Sequence, residues 1–373
     1  MKISALKVSA LDIPFRTSFR HASAVRDRTQ SIWVEAASYD GICGYGEGCP
    51  REYVTSESLG GARAALGGMS EDVRRSVDGI GALRNWVVAH AEKVDRNPAA
   101  WTAAECAILD LIGRTSDRSV ESILGLSELA GVFRYTAVIG DAQPEAFVAQ
   151  LGQYRNGGFS AFKIKLSGNP VRDGAKVKAL VDAGIPPESV RADANNLWSD
   201  AETAIRDLKA LEYPFWAIEE PLRPGDYPGM LRVAQALGAR IILDESLLRV
   251  SQISELGNLQ KQCVTNLRVS KMGGILRSLK LLQVLRSFDI PVIVGAHVGE
   301  SSLLTRAGMT MACAAGDLLL GQEGAFGIHL LQRDVVEPPL MFGSGGVLNV
   351  GSASLGQAGW GLNIIHQCSD GNT

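Results

Sequence analysis

Short apolar runs rich in β-branched residues recur between residues 160 and 325, and each ends in a charged or polar side chain. The run-ending residues are Lys163 and Lys165, Asp193 and Asn195, Glu219, Asp244, Arg268 and Lys271, His297 and Glu323. From Lys165 onward the steps between them are 28, 26, 25, 24, 29 and 26 residues, the length of one strand plus a crossover helix and its loops. The predicted strands are Arg134–Ile139, Phe162–Lys165, Val190–Asp193, Phe215–Glu219, Arg240–Asp244, Thr265–Val269, Pro291–Gly295 and Leu318–Gly321. Intervening segments such as Ala201–Leu211 and Leu276–Phe288 have helical periodicity. Eight strands alternating with helices point to an α/β fold closed into a barrel, with the polar run-ends on one rim. An open doubly wound sheet is the competing arrangement. It is disfavoured because no Gly-rich phosphate loop follows an early strand.

The first 130 or so residues lack this rhythm. Alternating segments at 2–10 and 31–39 predict antiparallel strands, with a turn at Asp40-Gly41. Helical patterns follow near 56–67, 81–95 and 101–115, the last with Thr102 as N-cap and Glu105 three residues on. Three parts are therefore expected: an α+β capping domain over 1–130, the barrel over 131–345, and a Gly-rich segment, 346–373, that returns to the cap.

At 373 residues the chain accommodates two domains. Its composition is 46% hydrophobic and 21% charged, which is ordinary for a globular protein. A net charge of -3 gives no reason to expect nucleic acid or an anionic membrane as partner. No apolar stretch approaches the roughly 18 residues of a membrane span, and the start of the chain lacks a signal-peptide core. The six cysteines, at 43, 49, 106, 263, 313 and 368, contain no CxxC pair and are expected as buried thiols in a cytoplasmic protein.

The rim carries the chemistry. Asp193, Glu219 and Asp244 end three successive strands, so their carboxylates can converge, and three hard oxygens suit an octahedral Mg²⁺. Salt-bridged acids at strand ends are the plainer alternative. Lys163 and Lys165 are two apart and share a face. Adjacent ammonium groups beside a bound cation are expected to lower a lysine pKa and make it a general base. Metal and base together suit one kind of reaction, the removal of the proton α to a carboxylate with the resulting enediolate held on the metal.

These residues carry a resemblance to a known family. The sequence resembles the enolase superfamily, in particular the group typified by muconate lactonizing enzyme and the dipeptide epimerases. The matching pieces are Phe162-Lys163-Ile164-Lys165, Asp193-Ala194-Asn195, Ile218-Glu219-Glu220-Pro221, Asp244-Glu245-Ser246 and Lys271-Met272-Gly273-Gly274. In the N-terminal part, Gly44-Tyr45-Gly46-Glu47 with Pro50 and Tyr53-Val54-Thr55, and Pro14-Phe15-Arg16 with the stretch to Arg28, resemble the family's specificity loops, placed near 15–30 and 50–58. The resemblance implies a modified TIM barrel, (β/α)₇β, capped by an α+β domain. It implies Mg²⁺, or Mn²⁺ as a substitute, on Asp193, Glu219 and Asp244, with Lys165 as base, Lys163 assisting and Asn195 binding the carboxylate or backing the metal. It also implies a small carboxylate substrate and a homo-oligomer.

The sequence departs from the family pattern on the later strands. Where muconate-lactonizing-like members carry a second catalytic lysine, this chain has Arg268, and Lys271 matches the structural lysine. Arginine clamps carboxylates but is a poor base. Two readings follow: one-sided chemistry at Lys165, a dehydration or cycloisomerisation with Arg268 as support, or epimerisation with His297 as the opposite base. A barrel that has lost catalysis is a third. Glu300 matches an acid that follows the seventh strand in such members, or serves a helix N-terminus. On the eighth strand, Gly321-Gln322-Glu323 keeps one of the two acids by which dipeptide epimerases hold an ammonium group. Arg16, Arg20, His21, Arg26 and Arg28 crowd the first loop, either as a solvated basic loop, the more common case, or as contacts to a second anionic group; Tyr53 is a candidate for the substrate.

Overall fold

The computed structural model describes residues 1–21, 24–324, 326–353 and 355–366. Cys368 lies outside them, and so do the side chains of Arg20 and His21.

The N-terminal part is built on a three-stranded antiparallel sheet, Ile3–Leu11, Ser31–Ser38 and Cys43–Gly48, with Ser31–Ser38 in the middle. The third strand corrects the sequence reading, which treated Gly44-Tyr45-Gly46-Glu47 as specificity loop. Its glycines serve packing instead. A Cβ at Gly44, Gly46 or Gly48 would stand 2.2, 2.0 and 2.0 Å from backbone atoms of Leu111, Ala103 and Ala99. These three residues lie on the face that the helix Pro98–Ser116 lays against the strand. That helix starts at Pro98, the favoured first position, so Thr102 is not its N-cap. Thr102 lies one turn in, and its hydroxyl donates to the Pro98 carbonyl. The first loop is also more regular than expected: Pro14–His21 and Ala24–Arg28 pair as a two-stranded ribbon.

The barrel has eight parallel strands: Val132–Ile139, Phe162–Lys165, Val190–Asp193, Ala217–Glu219, Arg240–Leu243, Cys263–Leu267, Val292–Val294 and Leu319–Glu323. They lie side by side in chain order, and the eighth pairs with the first through Gln322↔Tyr135 and Glu323↔Thr136, which closes the ring. The (β/α)₇β expectation holds, since helical segments follow the first seven strands. The connection after the fifth is irregular, a 3₁₀ stretch at Val250–Lys261 broken at Gly257. A ninth strand, Val347–Asn349, pairs antiparallel with the first barrel strand. Beyond it Trp360 packs on the cap helix, its Nε1 donating to the Cys106 carbonyl.

Residues two apart on a strand share a face, and that alternation layers the interior. Ala217, Ile242, Val264 and Ile293 form a small apolar floor inside the ring. Glu219, Asp244, Asn266 and Gly295 are the next positions on the same strands, and the charged rim rises from them.

Candidate active site

Strand register brings the second, third and fourth barrel strands together at their C-terminal ends. Lys165 stands opposite Asp193, and Asp193 opposite Glu219. Lys163 is almost wholly enclosed. Its Nζ donates to Glu219 Oε1 and Oε2 at 3.0 and 2.9 Å and to Glu323 Oε2 at 3.2 Å, with Asp193 Oδ2 at 3.3 Å. Lys165 Nζ reaches Asp193 Oδ2 at 3.1 Å and Asn195 Oδ1 at 2.5 Å. Asn195 sits at φ 46°, and its N–H donates to Asp193 Oδ1. On the far side Lys271 Nζ donates to Asp244 Oδ1 at 2.8 Å and to the carbonyls of Asp244 and Asn266. Arg268 lays its guanidinium on Asp244 Oδ2, with Glu219 Oε1 at 3.8 Å.

Burial and these contacts set the ionisation. Burial pushes the Glu219 carboxyl up to about 7, with Lys163 opposing and Asp193, Glu323 and Asp244 adding to the rise. Asp193 is buried too, but Lys165 and Lys163 hold it well below the ordinary range. For Lys163 the shift runs opposite to the sequence expectation. Burial disfavours its charge, yet Glu219, Glu323 and Asp193 outweigh that and raise its pKa. The expectation set two ammonium groups against each other, whereas in the structure both share Asp193 Oδ2, and Glu219 and Glu323 add to the charge facing Lys163.

The carboxylate trio tests the expectation of Mg²⁺. Three buried carboxylates at neighbouring strand ends are the donor chemistry of a hard divalent cation, and protein cations already stand between them: Lys163 between Asp193 and Glu219, Arg268 between Glu219 and Asp244. Among the described residues no three His, Cys, Asp or Glu side chains are yet grouped so that they could hold a metal ion. The donors fit the metal by chemistry, and their present spacing is set by Lys163 and Arg268.

A cavity of about 60 Å³ opens over this rim, lined by Lys165, Asn195, Glu245, Arg268, Tyr53 and Phe326 among others. Ordinary small-molecule sites span roughly 300–1,000 Å³, so a substrate enters only when lining side chains or cap segments move. Arg268 NH1 lies 3.3 Å from His297 Nδ1. A guanidinium only donates, so Nδ1 accepts, and a neutral ring carries its proton on Nε2, which is buried without a partner. Burial and then the charges of Arg268, Arg51 and Lys271 drive the His297 pKa far down.

Three expected substrate contacts are engaged by groups of this chain. The carboxylate of Glu323 borders the cavity, but Lys163 and Arg191 hold both its oxygens, the latter at 2.6 Å, and its pKa falls to about 2 as these cations and Arg268 overcome burial. Its charge is thus already balanced by two cations of this chain. Glu300 is buried and accepts from the His297 N–H at 2.8 Å, so it shapes the turn after the seventh strand. Arg16 is exposed, and its Nε donates to the carbonyls of Ile328 and Leu331, bracing the first ribbon against the segment after the eighth strand. Arg28 pairs with Asp12 at 2.7 Å. Arg26 lies 5.9 Å over the Tyr53 ring, at the cavity mouth.

Sequence reasoning missed Arg191, which is buried inside the barrel and bound to Glu323 and the Thr136 hydroxyl. Its position two residues before Asp193 put it on the same inward face and was the available signal. It also passed over Glu245, a cavity-lining acid whose Oε2 is buried without a partner.

The closed barrel thus carries a lysine pair and a carboxylate trio on its C-terminal rim. Residues 146–366, more than half of the chain, match the family model for enolase C-terminal domain-like proteins, and the chain belongs to this family, as an isomerase-class enzyme of the enolase superfamily. It is 26% identical to a hydrophobic dipeptide epimerase of Enterococcus faecalis over 88% of this chain and 92% of that one. It is also 26% identical to an N-succinyl-L-Arg/Lys racemase of Bacillus cereus over 84% of each. The crystal structure of the E. faecalis dipeptide epimerase with Mg and the dipeptide L-Leu-L-Tyr superposes with a TM-score of 0.82, at 26% identity, covering 97% of this chain and 100% of that one. These relatives are epimerases and racemases, which shifts the balance from the dehydration or cycloisomerisation favoured by the sequence toward stereochemical inversion.

Proposed function

We infer that the protein is a racemase or epimerase of an amino-acid-derived carboxylate, with Lys165 taking the α-proton. The carrying observation is the placement of Lys165 and Arg268 on the second and sixth of eight barrel strands, facing one cavity from opposite walls. Inversion needs a proton-handling group on each face of the α-carbon; Lys165 borders the cavity on one side and Arg268, with His297 beside it, on the other. Asp193, Glu219 and Asp244 would hold a Mg²⁺ ion. Bound there, the ion would offset the charge that grows on the substrate carboxylate as the proton leaves.

This chain's residues divide the work. Asn195 and Asp193 aim Lys165 Nζ at the cavity. Lys163 keeps Glu219, Asp193 and Glu323 in fixed positions and stays charged. Because Glu323 already faces Lys163 and Arg191, its charge is balanced before a substrate ammonium could approach the eighth strand. An N-acyl amino acid, whose nitrogen carries no charge, suits the cavity better than a dipeptide. Small-molecule carboxylates are the expected partners of the rim.

A second reading, one-sided cycloisomerisation or elimination at Lys165, is favoured by a specific observation. Arg268 stays protonated, and His297 accepts from it and is disfavoured as a cation, so the second face lacks a ready proton acceptor. Polarimetry over N-acyl amino acids and dipeptides of either hand, with Mg²⁺ supplied, separates the two. Decay of optical rotation toward the mixed configurations supports inversion. Turnover to an unsaturated or cyclised product that keeps one configuration overturns it in favour of the second reading.

A further inference from the structure

Arg268 is one of two cations that the carboxylate trio itself holds, the other being Lys163. Its guanidinium rests on Asp244 Oδ2 and approaches Glu219 Oε1 at 3.8 Å, spanning two of the three acids. Its side chain has room because position 295 is glycine: a Cβ there would lie 2.1 Å from Asn266 Oδ1 and 3.1 Å from Arg268 Cγ. Two cations cannot share this seat, since a divalent ion coordinated by Asp244 needs the oxygen on which the guanidinium sits. Neither can the arginine shed its proton to make way.

The arginine has somewhere to go. Arg268 Nε is buried without an acceptor, and Glu245 Oε2 is buried without a donor. Both side chains line the same cavity, and each orphan atom costs free energy until it finds a partner. A rotation of Arg268 off Asp244 toward Glu245 would offer each the other, while Lys271 continues to hold Asp244 Oδ1 at 2.8 Å.

We propose that Arg268 is a resident counter-cation of the Asp244–Glu219 seat that competes with the divalent metal and yields the seat by moving onto Glu245. This rests on the reading that Asp193, Glu219 and Asp244 take the metal, and it adds that metal entry is gated by this chain's own arginine. The consequence is quantitative. Apparent metal affinity is the intrinsic affinity scaled by the fraction of molecules whose seat is free. An arginine that occupies the seat in about nine molecules of ten weakens apparent binding about tenfold.

The test is a direct binding titration with Mn²⁺, followed by the electron paramagnetic resonance signal of the free ion at constant ionic strength. Arg268→Met is expected to bind Mn²⁺ about tenfold tighter than wild type. Arg268→Lys, a milder change in case the methionine variant does not fold, should shift in the same direction by less. Glu245→Gln should weaken binding in the wild-type background and leave it unchanged in Arg268→Met, because only a displaced arginine needs the second seat. Equal affinity in wild type and Arg268→Met, lost in both on Asp193→Asn, would overturn the competition while leaving the metal site standing. Absence of Mn²⁺ binding in every variant would overturn the metal site itself, and this proposal with it.

Discussion

Lys165 and Arg268 stand four strands apart in a closed ring of eight and border one cavity, so a lysine and an arginine face each other across it. The two differ in what holds them. Lys165 reaches one carboxylate oxygen and the Asn195 amide, whereas Arg268 touches Asp244, Glu219 and His297. Removing the ammonium should therefore remove the chemistry with little effect on the fold. Lys165→Ala is expected to lower turnover by about 10³-fold or more, within the range for loss of a general base, with its thermal midpoint close to that of wild type. Measured kcat and a melting curve on the same preparation check both halves.

Glu323 gives the opposite expectation. It is buried between Lys163 and Arg191, and truncating one member of a buried ion network strands the others. Glu323→Gln should cost about 3 kcal/mol of folding stability, read by urea unfolding. An unchanged denaturation midpoint would contradict its structural role and return it to the substrate.

The glycines of the third cap strand make a prediction about packing. Gly46→Ala places a methyl 2.0 Å from the Ala103 carbonyl and should cost about 2 kcal/mol or more. Gly67→Ala, inside the helix Leu59–Ser76 with nothing within 4 Å of the added carbon, should instead stabilise by about 0.5–1 kcal/mol. Thermal unfolding of the two variants beside wild type checks the contrast.

The contact between cap and barrel carries a pH dependence. Glu47 is buried and accepts from the Ser301 N–H and hydroxyl. Burial raises its pKa from the ordinary 4.5 to about 7. The folded state thus binds more protons than the unfolded chain between these values, and stability contributed by the protonated acid is lost as pH rises through that window. Glu47→Gln should reduce the loss of stability between pH 5 and pH 8 by about 2 kcal/mol. Urea titrations at the two pH values would show it. An unchanged slope would mean that Glu47 is not the group responsible.

The barrel was legible because each strand is an apolar run closed by one polar residue at constant phase. The second and third strands fall on the residues predicted, Phe162–Lys165 and Val190–Asp193. The strand Cys43–Gly48 was not legible, since glycines at every second position remove the side chains whose alternation marks a strand. The positions of the rim carboxylates could be read from the sequence, but their partners could not. Arg191, Glu323 and Lys163 meet across the ring, more than a hundred residues apart for two of the three pairs, and one sequence without its register holds no sign of such pairing. The same blindness made Glu300 and Arg16 look like substrate contacts when their bonds go to backbone.

The central claim, that Lys165 removes the α-proton of an amino-acid-derived carboxylate, is tested most directly by proton exchange. N-acyl amino acids and dipeptides of either hand, incubated with the wild-type protein and a divalent cation in D₂O, are followed by ¹H NMR at the α-hydrogen. The account predicts loss of that signal for at least one compound and its retention when Lys165 is replaced by alanine. Exchange that persists in Lys165→Ala, or turnover of any compound without deuterium at the α-carbon, would contradict it.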